Sequence, residues 1–201
     1  AGDGGFSNDN LFYSRRIGRS PQYSPSSEDG TFIDMPVQTN IASVIKLTGK
    51  TSKGLSIGVM NASTVRESAD LSIDNVHSKT TVEPFTNYFI GRLQKDFRRG
   101  DTRIGGMVTA TNRDLNEEHL DFLNSAAYTG GFDINHSWND KIYSVSFNSV
   151  FSNIRGSKIA LLNQQESSRR YFQRPDADYM ELDPNRTSLS GYGGSLNLSK
   201  G

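Results

Sequence analysis

Between Ala127 and Phe151 large apolar residues recur at most alternate positions, Tyr128, Phe132 and Ile134 before Asn139-Asp140 and Tyr143, Val145, Phe147 and Phe151 after it, with Gly130, His136 and Ser149 between them on the same face. The positions between are small or polar: Thr129, Gly131, Asp133 and Asn135 on one side, Ser144, Ser146 and Asn148 on the other. A period of two cannot build an amphipathic helix, so the stretch predicts an antiparallel hairpin with one apolar and one polar face. With Asn139 and Asp140 as a two-residue turn, Trp138 stands opposite Lys141, Phe132 opposite Phe147, Ile134 opposite Val145 and His136 opposite Tyr143.

The same pattern predicts two earlier hairpins. One runs from Ile41 to Thr64 through Thr51-Ser52-Lys53, with Gly54 supplying the left-handed residue of the turn. Its register sets Leu47 opposite Ile57 and Ile45 opposite Val59, with Lys46 on the other face opposite Gly58. The other runs from Thr86 to Arg113 and turns at Arg99-Gly100, pairing Phe89 with Ala110, Gly91 with Val108 and Leu93 with Gly106. Its polar face pairs Arg92 with Met107 and Asp96 with Arg103, the latter a cross-strand ion pair. A last strand runs from about Ser190 to Lys200, with Tyr192, Leu196 and Leu198 on one face.

Short turns at 51–53, 98–101 and 139–140 alternate with long polar connections at 66–85, 114–125 and 154–190, the second with room for a helical turn. In an up-and-down meander every second turn lies on the same rim, so all short turns fall at one end and all long loops at the other. That asymmetry, strands of about 10 residues and aromatic residues near the short turns (Phe97, Trp138, Tyr143) match an outer-membrane β-barrel. The expected lipid-facing set is Leu47, Ile57, Val59, Phe89, Val108, Phe132, Ile134, Val145 and Phe147. About seven strands do not close a barrel with an even strand number, and the end at Lys200-Gly201 carries no terminal aromatic residue. The expectation is therefore an irregular segment over 1–40 and a partial barrel over 41–201, a fragment of a larger barrel. A soluble β-sandwich or lipocalin-like barrel is the alternative, with the apolar face turned to a core.

Composition narrows this modestly. The 201 residues are 34% hydrophobic with 19 Gly, and their mean hydropathy is -0.58, which suits one large β unit. No run reaches the roughly 18 apolar residues of a spanning helix. Acidic and basic residues balance at 22 each, so no global field favours nucleic acid as a partner. With no Cys, disulfide scaffolds and thiolate metal sites are excluded.

Several strings go beyond periodicity: Phe12-Tyr13-Ser14-Arg15-Arg16-Ile17-Gly18-Arg19, Lys46-Leu47-Thr48-Gly49-Lys50, Glu83-Pro84-Phe85-Thr86-Asn87-Tyr88-Phe89, Gly105-Gly106-Met107 through Thr111-Asn112-Arg113, and Tyr171-Phe172-Gln173-Arg174-Pro175-Asp176-Ala177-Asp178-Tyr179. With Asp183-Pro184-Asn185-Arg186 through Gly191 they cover most of the chain. In these strings the chain resembles the Gram-negative outer-membrane family known as domain of unknown function 5916. Members commonly carry a family 9 carbohydrate-binding-like domain ahead of a large barrel. The resemblance implies an outer-membrane location and a barrel continuing beyond both ends. It implies no activity, and any sugar-related label belongs to a domain that this sequence lacks.

Candidate chemistry is sparse. His77, His119 and His136 lie in different elements without metal-ligand spacing, and no nucleophile elbow, phosphate loop or dinucleotide fingerprint occurs. Arg15, Arg16 and Arg19 suit an anionic ligand or an acidic wall, although arginines paired with nearby carboxylates on a solvated surface are the commoner arrangement. Asp176, Asp178, Glu181 and Asp183 resemble the spacing of a calcium loop without its glycine and ligand order, and Arg169, Arg170 and Arg174 are near enough to neutralise them. Tyr171, Phe172 and Tyr179 suit sugar stacking, with anchoring of the loop the preferred reading. The expected ligand or loop contacts are thus Arg15, Arg16, Arg19, Arg174, Asp176, Asp178 and Tyr179, with no catalytic residue, metal or cofactor. Expected partners are outer-membrane lipid, the rest of the barrel and a glycan or other small molecule, in transport, anchoring or glycan handling. The competing expectation is an enzyme whose loops gather perturbed carboxylates around Asp176 and Asp178.

Overall fold

A computed structural model describes residues 11, 16–26, 31–73, 76–176 and 179–201. Alternating residues make it all-β and antiparallel. Seven long strands form one sheet: β2 (Ile41–Lys50), β3 (Leu55–Thr64), β6 (Thr86–Phe97), β7 (Thr102–Arg113), β8 (Asn124–Trp138), β9 (Tyr143–Gly156) and β10 (Ser188–Lys200). Each pairs with its neighbour along the chain in the order β2-β3-β6-β7-β8-β9-β10, which is a meander. Among the described residues β2 and β10 are the two free edges.

A second, three-stranded sheet in the order β1-β4-β5 is built from β1 (Phe32–Asp34), β4 (Glu67–Ile73) and β5 (Val76–Glu83). The stretch 66–85, expected as a long polar connection, carries the paired strands β4 and β5. Its polar residues pair across the strands, with Asp70 opposite Lys79 and their side chains 3.2 Å apart. The long connection after β9 likewise contains a helix, α1 (Lys158–Glu166), capped where Ser157 Oγ accepts a hydrogen bond from Ala160 N at 3.1 Å. Residues 118–120 make a single 3-10 turn.

The β6–β7 register is the one the sequence predicts, with Phe89 opposite Ala110 and Asp96 opposite Arg103. The other two hairpins differ from expectation by two residues. Leu47 pairs with Val59 and Lys46 with Met60, because the turn closes between Thr51 N and Leu55 O at 2.8 Å. Gly54 takes the left-handed conformation at φ 80. In β8–β9, Trp138 pairs with Tyr143 and Phe132 with Ser149. The turn there holds four residues, of which Asn139, Asp140 and Lys141 all have positive φ (53, 51 and 67). A slip of two keeps every side chain on its expected face.

The cross-strand rows assign those faces. One carries Ile45, Leu47, Ile57, Val59, Leu93, Ile104, Val108, Phe132, Ile134, Val145, Phe147, Phe151, Tyr192, Leu196 and Leu198. The other carries Lys50, Arg92, Gln94, Asp96, Asp133, Asn148 and Ser195, with glycines between. Burial follows an unusual rule. Every buried residue of the seven-stranded sheet (Ala62, Thr64, Thr86, Ile90, Gly105 and Leu189) lies on the polar face. The apolar face stays bare, with Leu198 73% and Leu47 66% exposed.

The chain itself covers part of the polar face. α1 folds onto it, and the fully buried Ala160 and Leu161 pack with Leu189, Ile154 and Phe172. Gly156 makes that approach possible, since a Cβ there would stand 3.0 Å from Ala160 and from Leu161. Leu11 sits over Gly131 so closely that a Cβ would fall 2.6 Å from Leu11 Cδ1.

Candidate functional site

Among the described residues polar side chains gather along the polar face and on the rim where the long connections lie, and in a belt that borders the apolar face. On the polar face a chain of contacts crosses from β2 to β8. Lys50 Nζ donates to Asp96 Oδ2 at 2.7 Å, and Gln94 Nε2 donates to Asp96 Oδ1 at 3.3 Å. Arg92 Nη2 then bridges Gln94 Oε1 at 3.3 Å and Asp133 Oδ1 at 3.1 Å. The expected Asp96–Arg103 ion pair is therefore corrected: the two are opposite in register, but the carboxylate is taken by Lys50 and Gln94.

Small residues make this ladder possible. Ser56 lies between Lys50 and Gln94, and Gly105 between Gln94 and Asp133, in one row across the strands. The Asp133 carboxylate lies flat over Gly105, 2.6 Å from where a Cβ would be. Each charge is partly hydrated, as with Arg92 and Asp133 at 39% and 21% side-chain exposure, so the ladder fixes geometry more than it adds stability.

On the long-connection rim, three segments meet. The Glu83 carboxylate at the end of β5 is buried and accepts two bonds from Gln22, from the backbone N at 2.8 Å and Nε2 at 2.9 Å. Thr81 Oγ1 donates to Glu117, and His119 Nε2 donates to Thr81 O at 2.8 Å, while the His119 ring lies 4.6 Å from that of Tyr23. Arg66 binds Asp114 at 3.0 Å and Glu117 at 3.2 Å. These contacts pin the β4–β5 hairpin to the 114–123 connection. Nothing in local sequence periodicity announces pairings between segments so far apart.

The expected contact residues are only partly gathered. Arg15 and Asp178 lie outside the described residues. Arg16 and Arg19 are exposed, and Arg19 contributes its carbonyl, which accepts from Thr39 N at 3.0 Å and Thr39 Oγ1 at 2.7 Å. Arg174 does join Asp176 and Tyr179. Its Nη2 donates to Tyr179 Oη at 2.9 Å, and its Nε is 3.8 Å from Asp176 Oδ1, an ion-pair distance too long for a hydrogen bond. Among the described residues Arg169 and Arg170, unlike Arg174, are not within ion-pair distance of the acidic run, and Arg170 donates to Gln164. Burial holds the Arg170 guanidinium below the usual arginine range, and the charge of Arg169 adds to the effect. Asp183 is paired with Arg186 at 3.6 Å. Phe172 anchors its loop against α1, while Tyr171 and Tyr179 are exposed. Among the described residues no group of three or more His, Asp or Glu is placed to hold a metal ion.

Aromatic and polar side chains border the bare apolar face on both rims. Beside the short turns His136, Trp138 and Tyr143 stack at 5.6 Å spacings, with Lys200 over Tyr143 at 5.8 Å. Toward the long connections a polar belt holds Asn61 and Asn87 in a reciprocal pair at 3.2 Å, Asn112 accepting from Tyr128 Oη at 2.8 Å, and Asn153 donating to Ser190 at 2.9 Å.

Fold and surface together define an all-β protein built on a long-stranded antiparallel meander, apolar and bare on one face and polar and partly covered on the other. Residues 2–173 match the family model described as Domain of unknown function (DUF5916), and the chain belongs to that family. Arg174, Asp176, Asp178 and Tyr179 lie beyond the matched stretch. Comparison with curated proteins and with solved structures gave no match.

Proposed function

We propose that the seven-stranded sheet is a section of the wall of a β-barrel in the outer membrane of a Gram-negative bacterium, its apolar face toward lipid and its polar face toward the lumen. One observation carries this reading: among the described residues, the buried ones of the sheet lie only on its polar face, and no described segment covers the apolar face. A water-soluble sheet does the reverse, because leaving apolar area exposed forgoes about 25 cal/mol per Å².

Dimensions support it. From Tyr143 to Asn153 along β9, at about 3.3 Å per residue and a strand tilt of about 40°, the rise is about 25 Å, the height of a barrel's apolar band. That band is bounded below by the stacked Trp138 and Tyr143 and above by the asparagine belt, as headgroup-level girdles require. The open edges at β2 and β10 present unpaired backbone groups that hydrocarbon cannot satisfy, so further strands complete the wall.

The role follows from what fills the polar side. α1, Leu11 and the charge ladder occupy that side, so this section is a lined and partly plugged wall suited to gating passage or anchoring surface loops. The rim bearing Arg174, Asp176 and Tyr179 is the place for a glycan or other small ligand. Fractionation of the full-length chain tests the location. The protein is expected in outer membranes, extractable only with detergent, and slower in gel migration after boiling. Recovery as a folded monomer in detergent-free buffer would make it a soluble β module instead.

A further inference from the structure

Near the asparagine belt the bare face is not flat. Tyr128 and Gly130 of β8, Phe151 and Asn153 of β9 and Ser190 and Tyr192 of β10 line an open, shallow cleft of about 520 Å³. Gly130 makes the depth: it stands in the same row as Phe151 and Tyr192 and contributes no side chain between the Tyr128 and Phe151 rings. Below it Ser149 and Gly194 are small, with Phe132 beside them in the same row, and Phe147 and Leu196 close the row beyond, so the cleft continues as a shallow groove for one row toward the middle of the sheet.

The two ends of the cleft differ in chemistry. Toward the sheet middle it is aromatic, with Phe151 59% and Tyr192 90% exposed. Toward the long connections it ends at Arg155, whose guanidinium lies 5.8 Å from the Tyr128 ring centre and whose Nε donates to Asn153 Oδ1 at 3.2 Å. Arg155 is exposed, and among the described residues no carboxylate is within ion-pair distance of it. Stacking and the Asn153 bond preset the guanidinium and leave its Nη atoms available to an anion.

We propose that this cleft is a binding site for one lipid with an anionic phosphate headgroup, the phosphate on Arg155 with Asn153 and Ser190 beside it, and an acyl chain along Gly130, Phe151 and Tyr192. The proposal rests on the barrel reading, which puts this face in the bilayer and this rim at headgroup level. Cation at the interface and apolar groove beneath it are in the order in which a lipid presents phosphate and chain. A sugar or a peptide would leave the groove below the aromatic rings unfilled.

The test uses the full-length chain in nanodiscs of mixed phosphatidylglycerol and phosphatidylcholine, followed by native mass spectrometry of the lipids that stay bound after the disc is stripped. The expected result is retention of phosphatidylglycerol over phosphatidylcholine. Arg155→Gln reduces that preference about fivefold, the weight of one interfacial cation, while Lys200→Gln at the opposite rim leaves it intact. Gly130→Leu fills the cleft and removes the retained lipid of both headgroups, and because Leu faces hydrocarbon it does not disturb folding. Retention unchanged by both Arg155→Gln and Gly130→Leu in an inserted protein overturns the site and leaves the barrel standing. Failure to enter nanodiscs at all overturns both.

Discussion

The two faces of the seven-stranded sheet share a backbone and differ in everything else. Adjacent residues show it most sharply: Asp133 lies on the covered face in contact with Arg92, and Ile134, one position on, lies on the bare face between Ile104 and Phe147. Glycines repeat the contrast, since Gly105 is filled by the Asp133 carboxylate while Gly106 has nothing nearer than 3.7 Å. The described segments that pack onto the sheet, α1 and Leu11, pack onto its polar face. That arrangement is the one expected if the apolar surface meets lipid, as proposed above.

Perturbing one face at a time breaks or sharpens this contrast. The largest effect is expected where α1 closes over the polar face. Leu161→Ala empties a fully buried position and is expected to cost ~2–5 kcal/mol, read as a lower denaturation midpoint. Next, Phe132→Arg on the bare face is expected to cost ~2–4 kcal/mol of folding into bilayers, whereas Asn148→Arg on the polar face has little effect. If the bare face met only water, both would be surface changes within about 0.5 kcal/mol, so lipid-dependent folding assays separate the two accounts.

The neighbouring glycines give a finer comparison. Gly105→Leu drives a side chain into the Asp133 carboxylate and is expected to cost ~1–3 kcal/mol, while Gly106→Leu, on the bare apolar face, is expected to be tolerated. Equal midpoints for the two variants would show that the faces are not distinct there. Smallest is the Arg92–Asp133 pair, whose coupling in a double-mutant cycle is expected at ~0.2–1 kcal/mol and lower in high salt, since both side chains remain partly hydrated.

The face assignment was legible in the sequence because side-chain alternation survives any register slip of two. That is why Phe132 and Ile134 fall on the expected side although their partners are Ser149 and Phe147 rather than Phe147 and Val145. The slip itself was hidden in turn length: only backbone conformation reveals that Asn139, Asp140 and Lys141 are all left-handed. The β4–β5 hairpin was missed because its strands carry charges and hydroxyls where a core-facing strand carries Val and Ile. Helix α1 was missed because Leu161 and Leu162 sit among Asn and Gln, and only Ser157 at the N-cap marks its start. The candidate site was the least legible part. Of the expected contacts, the structure joins Arg174 with Asp176 and Tyr179 through neighbours in sequence, but Gln22–Glu83 and Lys50–Asp96 join segments that only the folded topology brings together.

The central claim concerns which face meets lipid, and the absence of Cys permits a direct test. Single Ile134→Cys and Asp133→Cys variants of the full-length protein in lipid vesicles would be exposed to a water-soluble thiol reagent and to a lipid-soluble quencher. The account predicts that the cysteine at 134 is shielded from the reagent and reached by the quencher, and that the cysteine at 133 shows the opposite. A folded protein whose cysteine at 134 reacts from water, untouched by the quencher, would contradict it.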